Sequence, residues 1–260
     1  MTQPINIEVS GLRKVFKPAG GSNPVVAIDK LDFNIKRGEM VAIVGQTGCG
    51  KSTFLNILIG LDQPTHGSVT IGGRKPYEDF DSFRGVLATV FQQDRLLPWR
   101  SALDNVRLPL ELLGRSERDQ IDSARSWLDR LGLSNFMDAY PHELSGGMRQ
   151  RVALARAFVI EPMLLLADEA FGHLDEVTSA ALRRNFMDLA RNAGKTAIVV
   201  THQLEEAIEM GGRILVFGRP GHMLADIHLA GYPDAKLASL RYDIQQMLQS
   251  NTPNVEISKH

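Results

Sequence analysis

The run from Met40 to Ile59 restricts this chain more than any other stretch. Met40-Val41-Ala42-Ile43-Val44 is continuously apolar, as a strand buried on both faces must be. Gly45-Gln46-Thr47-Gly48-Cys49-Gly50-Lys51-Ser52 follows and fills the pattern G-x-x-x-x-G-K-[ST]; Thr53 continues the loop into a helix read over Ser52 to Ile59. Strand, glycine loop and helix in that order form a cradle for an anion. Residues without Cβ let the backbone wrap the ligand, and the N–H groups of the loop and of the helix N-terminus face it. Lys51 brings a point charge suited to the β and γ phosphates of a nucleoside triphosphate, and the Ser52 hydroxyl suits Mg²⁺. Cys49 reads as a small residue whose backbone matters; a sharper reading makes it a thiol activated by the helix N-terminus.

Two further stretches carry chemistry. Met163-Leu164-Leu165-Leu166-Ala167 is a second buried strand and ends in Asp168-Glu169. Ends of such strands are where α/β sheets place ligands. Following a phosphate loop, Asp168 suits Mg²⁺ held through its water shell, and Glu169 suits a general base that polarises an attacking water. Ser145-Gly146-Gly147 precedes a helix from about Met148 to Val159. Ser145 is a favoured N-cap residue, and the two glycines expose backbone N–H groups at the helix start, a second anion cradle.

Around these motifs the chain alternates strands and helices. Ile5 to Val9 and Val25 to Ile35 alternate apolar and polar, and predict antiparallel strands in a small sheet beside the main core. Lys17 to Pro24 is a turn-rich break. Leu103 to Leu113 and Gln120 to Leu131 show helical spacing with few strand signals, so about 96–141 reads as a helical insert. Thr196 to Thr201 and Ile214 to Phe217 are strands, and Leu182, Phe186 and Leu189 mark a helix face before them. Arg219-Pro220-Gly221-His222 predicts a turn into a returning strand. Asp234 to Gln249 predicts an amphipathic helix with Leu237, Leu240, Ile244 and Leu248 on one side.

The 260 residues are 43% hydrophobic, ample for a packed core, with a net charge of -1, so no bulk pull toward nucleic acid or anionic lipid is implied. No apolar run approaches the ~18 residues that cross a bilayer. The start, Met1-Thr2-Gln3-Pro4, lacks the pattern of a signal peptide. With Cys49 as the single cysteine, no intrachain disulfide forms. A reducing compartment is expected, and any work at a membrane needs other chains to do the crossing.

Leu144-Ser145-Gly146-Gly147-Met148-Arg149-Gln150-Arg151, downstream of the phosphate loop, resembles the signature of ABC transporter nucleotide-binding subunits, and the likeness extends from about Ile5 to Val216. The resemblance implies one ABC ATPase domain over 1–260. Its α/β fold would be a RecA-like P-loop NTPase core (about 5–95 and 142–218) with an N-terminal antiparallel β subdomain, an inserted helical subdomain (about 96–141), and a C-terminal hairpin and helix (about 219–260). It implies that Ser145, Gly146 and Gly147 contact the γ phosphate of ATP held by an opposite subunit, in a head-to-tail dimer with two ATP at the interface. Further roles follow from the same likeness. Phe16 stacks on adenine. Gln92, preferred over Gln93 because Phe91 precedes it, reaches Mg²⁺ and senses a membrane subunit. Asp175, in Gly172-His173-Leu174-Asp175, links the two active sites, and His202 contacts the γ phosphate. Met148, Ala170 and His173 depart from the usual glutamine, proline and small residue.

Asp94 to Val106, with its Leu96-Leu97-Pro98-Trp99 core, resembles importer ATPases of the nitrate, sulfonate, taurine and bicarbonate type. Trp99, Leu96 and Leu97 would line a groove for a short permease helix, or else belong to the helical core. The implied partners are a second copy of the chain or a paralogous ATPase subunit, integral-membrane permease subunits and, indirectly, a solute-binding protein. The implied place is the cytoplasmic face of the inner membrane, and the implied cofactors are ATP and Mg²⁺. An exporter ATPase and a soluble mechanical ABC ATPase are the competing classes. Nothing between Gln92 and Ser145 is long or heptad-like, as the coiled coil of DNA-repair relatives would be.

Overall fold

The computed structural model describes residues 5–17, 23–172 and 175–253. In chain order its strands and helices are β1 (Ile7–Phe16), β2 (Val25–Ile35), β3 (Met40–Gly45), α1 (Lys51–Leu58), β4 (His66–Ile71), β5 (Leu87–Phe91), α2 (Ala102–Leu112), α3 (Glu117–Arg130), α4 (Gly146–Phe158), β6 (Leu164–Asp168), α5 (Glu176–Asn192), β7 (Thr196–Thr201), α6 (Leu204–Met210), β8 (Arg213–Gly218), β9 (Gly221–His228) and α7 (Asp234–Ser250). They fall into two compact units, Met1–Phe83 with Thr196–His260, and Arg84–Lys195.

In the first unit seven strands lie in the order β4-β1-β2-β9-β8-β3-β7. β3 runs parallel to β7 and β8, and every residue of the three is buried. A strand covered on both faces needs the unbroken apolar run that Met40 to Val44 supplies. β1 pairs antiparallel with β2 and β4, and its early residues alternate buried and exposed. The antiparallel strands expected near the N-terminus are present, but they do not form a separate sheet. The hairpin partner of β8, strand β9, meets β2 in parallel through Ile28↔Gly221 and Lys30↔His222 and so joins them to the parallel strands. The break at Lys17 to Pro24 lies largely outside the described residues.

Two helical layers cover this sheet. Phe54 of α1 meets Phe33 of β2 and Phe217 of β8, with ring centroids 5.6 and 6.1 Å apart, which fixes the helix that follows the phosphate loop. Leu240, Ile244 and Met247 of α7, spaced i, i+4, i+7, pack with Ala207 of α6 onto Ile214, Val216 and Ile227. Arg213, 7% exposed, is held bidentately by Asp226 at 2.6 Å for each bond and by Glu39 at 3.2 Å, a buried ion cluster between β8, β9 and the turn before β3.

The second unit contains the parallel pair β5 and β6 with α2 to α5. Its core is a chain of rings: Trp127 to Phe158, Phe158 to Phe186 and Phe186 to Phe171, at 5.4, 5.9 and 5.6 Å. α2 to α5 begin with side-chain caps from Ser101, Ser116, Ser145 and Asp175. Asn105, fully buried, ties down the loop before α2: its Oδ1 accepts from the Leu97 N–H, and its Nδ2 donates to the carbonyls of Leu97, Arg100 and Ser101.

Candidate functional site

Strand register decides which sequence motifs come together. In the first unit Val44 stands beside Thr201 in the parallel pair β3 and β7, so the phosphate loop and His202 leave neighbouring strand ends on the same side. His202 is exposed there. The loop turns through left-handed Gly48 and Gly50, at φ 77° and 96°. A Cβ on Gly50 would lie 2.6 Å from the Ala27 carbonyl oxygen, so the approach of β2 excludes any other residue on space as well as on backbone angle. A Cβ on Gly45 would collide with Cys49 Sγ.

Lys51 is buried, and its Nζ donates to the loop carbonyls of Gly45 (2.7 Å) and Gln46 (3.1 Å). The loop thus bends around its own cation. No side chain caps α1, so its first-turn N–H groups, with Ser52 exposed beside them, suit an anionic ligand. Gln46, Thr47 and Gly48 form the exposed rim, and Gln46 Nε2 donates to the Leu248 carbonyl of α7 at 2.6 Å. Thr53 is half-buried one residue into the helix. Phe16 ends β1 with 42% of its surface exposed and Lys14 Nζ 4.9 Å from its ring centroid, leaving ring surface for a flat ligand.

Cys49 corrects the sharper reading of its thiol. It is fully buried, and burial outweighs the nearby Lys51 and pushes its pKa above the ordinary 9.0. A buried thiol held in the protonated form is a poor nucleophile.

In the second unit Phe91 stands beside Asp168, so Gln92 and Glu169 emerge from adjacent strand ends. Glu169 adopts φ 48°, a left-handed angle unusual for a residue with a side chain. Strain of this kind, of order ~1–3 kcal/mol, persists where the surroundings hold it and clusters at functional sites. Ala170, at the position where proline is usual, is buried.

Ser145 caps α4, accepting from the Met148 N–H at 3.3 Å. A Cβ on Gly147 would lie 2.7 Å from Thr178 Cγ2, so α5 packs directly on the first turn of α4. Asp175 caps α5 through the Thr178 N–H at 3.0 Å, and the same hydrogen bonding holds its carboxyl below the ordinary 3.8. Ser145, Gly146 and Gly147 start α4 and Asp175 starts α5, and the first turns of the two helices touch through Gly147 and Thr178. His173 lies outside the described residues, as does Leu174.

Three residues that sequence patterning did not single out organise this half. Gln150, buried on α4, donates to the Ala170 carbonyl (2.7 Å) and the Phe91 carbonyl (3.3 Å), tying both strand ends to one helix. Arg149 and Asp94 form an ion pair at 2.9 Å. A cavity of about 440 Å³ lies among Gln92, Asp94, Arg95, Gly146, Arg149 and Gln150. The spacing of Asp94 and Arg149, 55 positions apart, holds no signal that they meet. Of the expected groove residues, Leu96 is buried in the core, Leu97 is half-buried, and Trp99 is 71% exposed.

Phosphate loop, acidic strand end and glycine-started helix on this α/β frame define the class: a P-loop ATPase cassette. The chain belongs to the ABC transporter family, whose pattern matches residues 28–172. It is 40% identical over 221 residues to a nitrate import ATP-binding protein of Synechocystis sp., covering 84% of this chain and 80% of that protein. A taurine import ATP-binding protein of Rhizobium johnstonii is 38% identical over 250 residues, 91% of this chain and 94% of the relative. A solved dimeric structure of an ATP-binding cassette in a post-hydrolysis state, bound to ADP and Pi, matches with a TM-score of 0.76 and 35% identity. The match covers 86% of this chain and 98% of that one.

Proposed function

We propose that this chain is the ATP-hydrolysing subunit of a membrane importer, which pairs on binding ATP and drives solute uptake through permease subunits. The phosphate loop and the Ser145-capped glycine start of α4, in one chain, are the observation that carries this reading. The import roles named for the nitrate and taurine relatives support its direction, and the dimeric cassette supports self-association. No helix among the described residues is long and apolar enough to cross a membrane; the import roles named for the relatives support a peripheral subunit at the cytoplasmic face.

Each residue has a task in this scheme. Gly45 to Thr53 wrap the phosphates, and Lys51 exchanges its loop carbonyls for phosphate oxygens. Phe16 takes the adenine. Ser52, Gln92 and Asp168 each offer an oxygen donor of the kind that suits Mg²⁺, a hard cation that keeps part of its water shell; such an ion would neutralise charge on the transferring phosphoryl group. Glu169 takes the proton of the attacking water, and His202 donates to the γ phosphate. Ser145, Gly146 and Gly147 present α4's N-terminus to the nucleotide of the second copy, and Asp175 links the two centres. Phosphoryl transfer needs positioning and charge more than covalent chemistry, and these groups supply both.

The test is steady-state hydrolysis and nucleotide affinity in the Glu169→Gln variant. Affinity should be retained while turnover falls about 100-fold or more, the range of a lost general base. Undiminished hydrolysis would refute the assignment.

A further inference from the structure

The loop that follows Gln92 is gripped by α4 at two levels. Arg149 Nε donates to the Asp94 carboxylate at 2.9 Å, while Nη1 of the same guanidinium donates to the Leu144 carbonyl at 2.8 Å. Leu144 immediately precedes the cap Ser145. Two turns further along α4, Arg156 donates to the carbonyls of Asp94 (2.5 Å) and Arg95 (2.8 Å). Positions 149 and 156 lie seven apart and so share a helix face. The loop is shaped for this grip: Arg95 is left-handed at φ 48°, and its guanidinium lies 3.7 Å from the Phe91 ring centroid.

We infer that Arg149 is a positioning residue that couples the Gln92 loop to the Ser145 end of α4. One planar fork holds both, so a shift of the loop is transmitted to the residues that meet the second copy's nucleotide. A lysine, with one point charge, lacks the two fixed directions. This inference rests on the proposed ATP-driven pairing of two chains.

The test uses the full chain carrying Glu169→Gln, titrated with Mg-ATP and followed by sedimentation velocity. Asp94→Asn and Arg149→Gln are added singly and together. Each single change should raise the ATP concentration for half-maximal dimer about tenfold, toward the low end for coupled sites because the pair is partly exposed. ADP affinity of the monomer, read by calorimetry, should not move, which separates positioning from general damage. The double variant should be no worse than the worse single one, since the two residues act through each other. If the Glu169→Gln parent does not pair at all, the proposed function falls and this inference with it. If the parent pairs but the single variants keep its midpoint, or the two effects simply add, only the inference falls. Should Arg149→Gln fail to fold, Asp94→Asn, which leaves the Leu144 bond in place, decides alone.

Discussion

At the scale of single residues, Lys51 and Asp175 bear on different properties, one on ligand affinity and the other on stability. Lys51 spends its three donors on nearby loop atoms, so in the proposed scheme an arriving phosphate would replace bonds already made. Lys51→Ala should still weaken ATP binding roughly 10- to 100-fold, as expected for losing a charge-assisted bond of ~1.5–3 kcal/mol; calorimetry reads this directly. Asp175 has its carboxyl held below 3.8 by the Thr178 N–H. A depressed value in the folded state means the cap's contribution is complete above the ordinary carboxylate range. It is lost as the pH falls through the lowered value. Asp175→Ala should therefore lower Tm at neutral pH, and the gap from the parent protein should close in acid. A gap that persisted after protonation would show that something other than the charged cap is at work.

At the scale of elements, legibility followed length and burial. β3 and β7 were readable because both faces are covered and the sequence is apolar throughout. β4 was not: its first two residues are exposed, and Gly67 at φ 72° sits against the backbone of Ser10 and Gly11, which leaves Val69 and Ile71 as the whole buried pattern. β5 is five residues of mixed burial ahead of the glutamines, and α6 has seven residues, too few for a 3.6-residue period to declare itself. The motifs of the proposed site are visible in the sequence because each is local. Arg149, Gln150 and Asp94 were not, because their roles arise from contacts across 20 to 62 positions. The cluster at Arg213 was equally hidden and yields its own expectation. Asp226→Asn leaves a buried guanidinium short of its bidentate partner. Chemical denaturation should show a loss of about 3 kcal/mol, the lower end for a broken buried pair because Asp226 keeps some solvent. Gly50→Ala should cost both stability and nucleotide binding, since the Ala27 carbonyl leaves no room for the added carbon.

At the scale of the whole molecule, the expected outcome of Glu169→Gln is a long-lived pair of chains that forms only with Mg-ATP, visible as a doubled mass in light scattering. Adding Ser145→Arg to that variant should leave single-chain nucleotide affinity unaltered yet prevent the pair, because its long side chain would overfill the space that the proposed pairing gives to the γ phosphate of the other copy. The hydrogen bond from Gln46 to the Leu248 carbonyl carries the loop's influence into α7, an element that holds none of the site residues. Asn251, the left-handed residue ending α7, also exchanges two bonds with the backbone of Arg219. The rim of the cradle and the last turn of the terminal helix are thereby moored together. Deuterium uptake by the amides around Leu248 to Asn251 should slow when ADP fills the loop and steadies its rim, making this turn a gauge of occupancy; unchanged uptake would show that the mooring carries no signal.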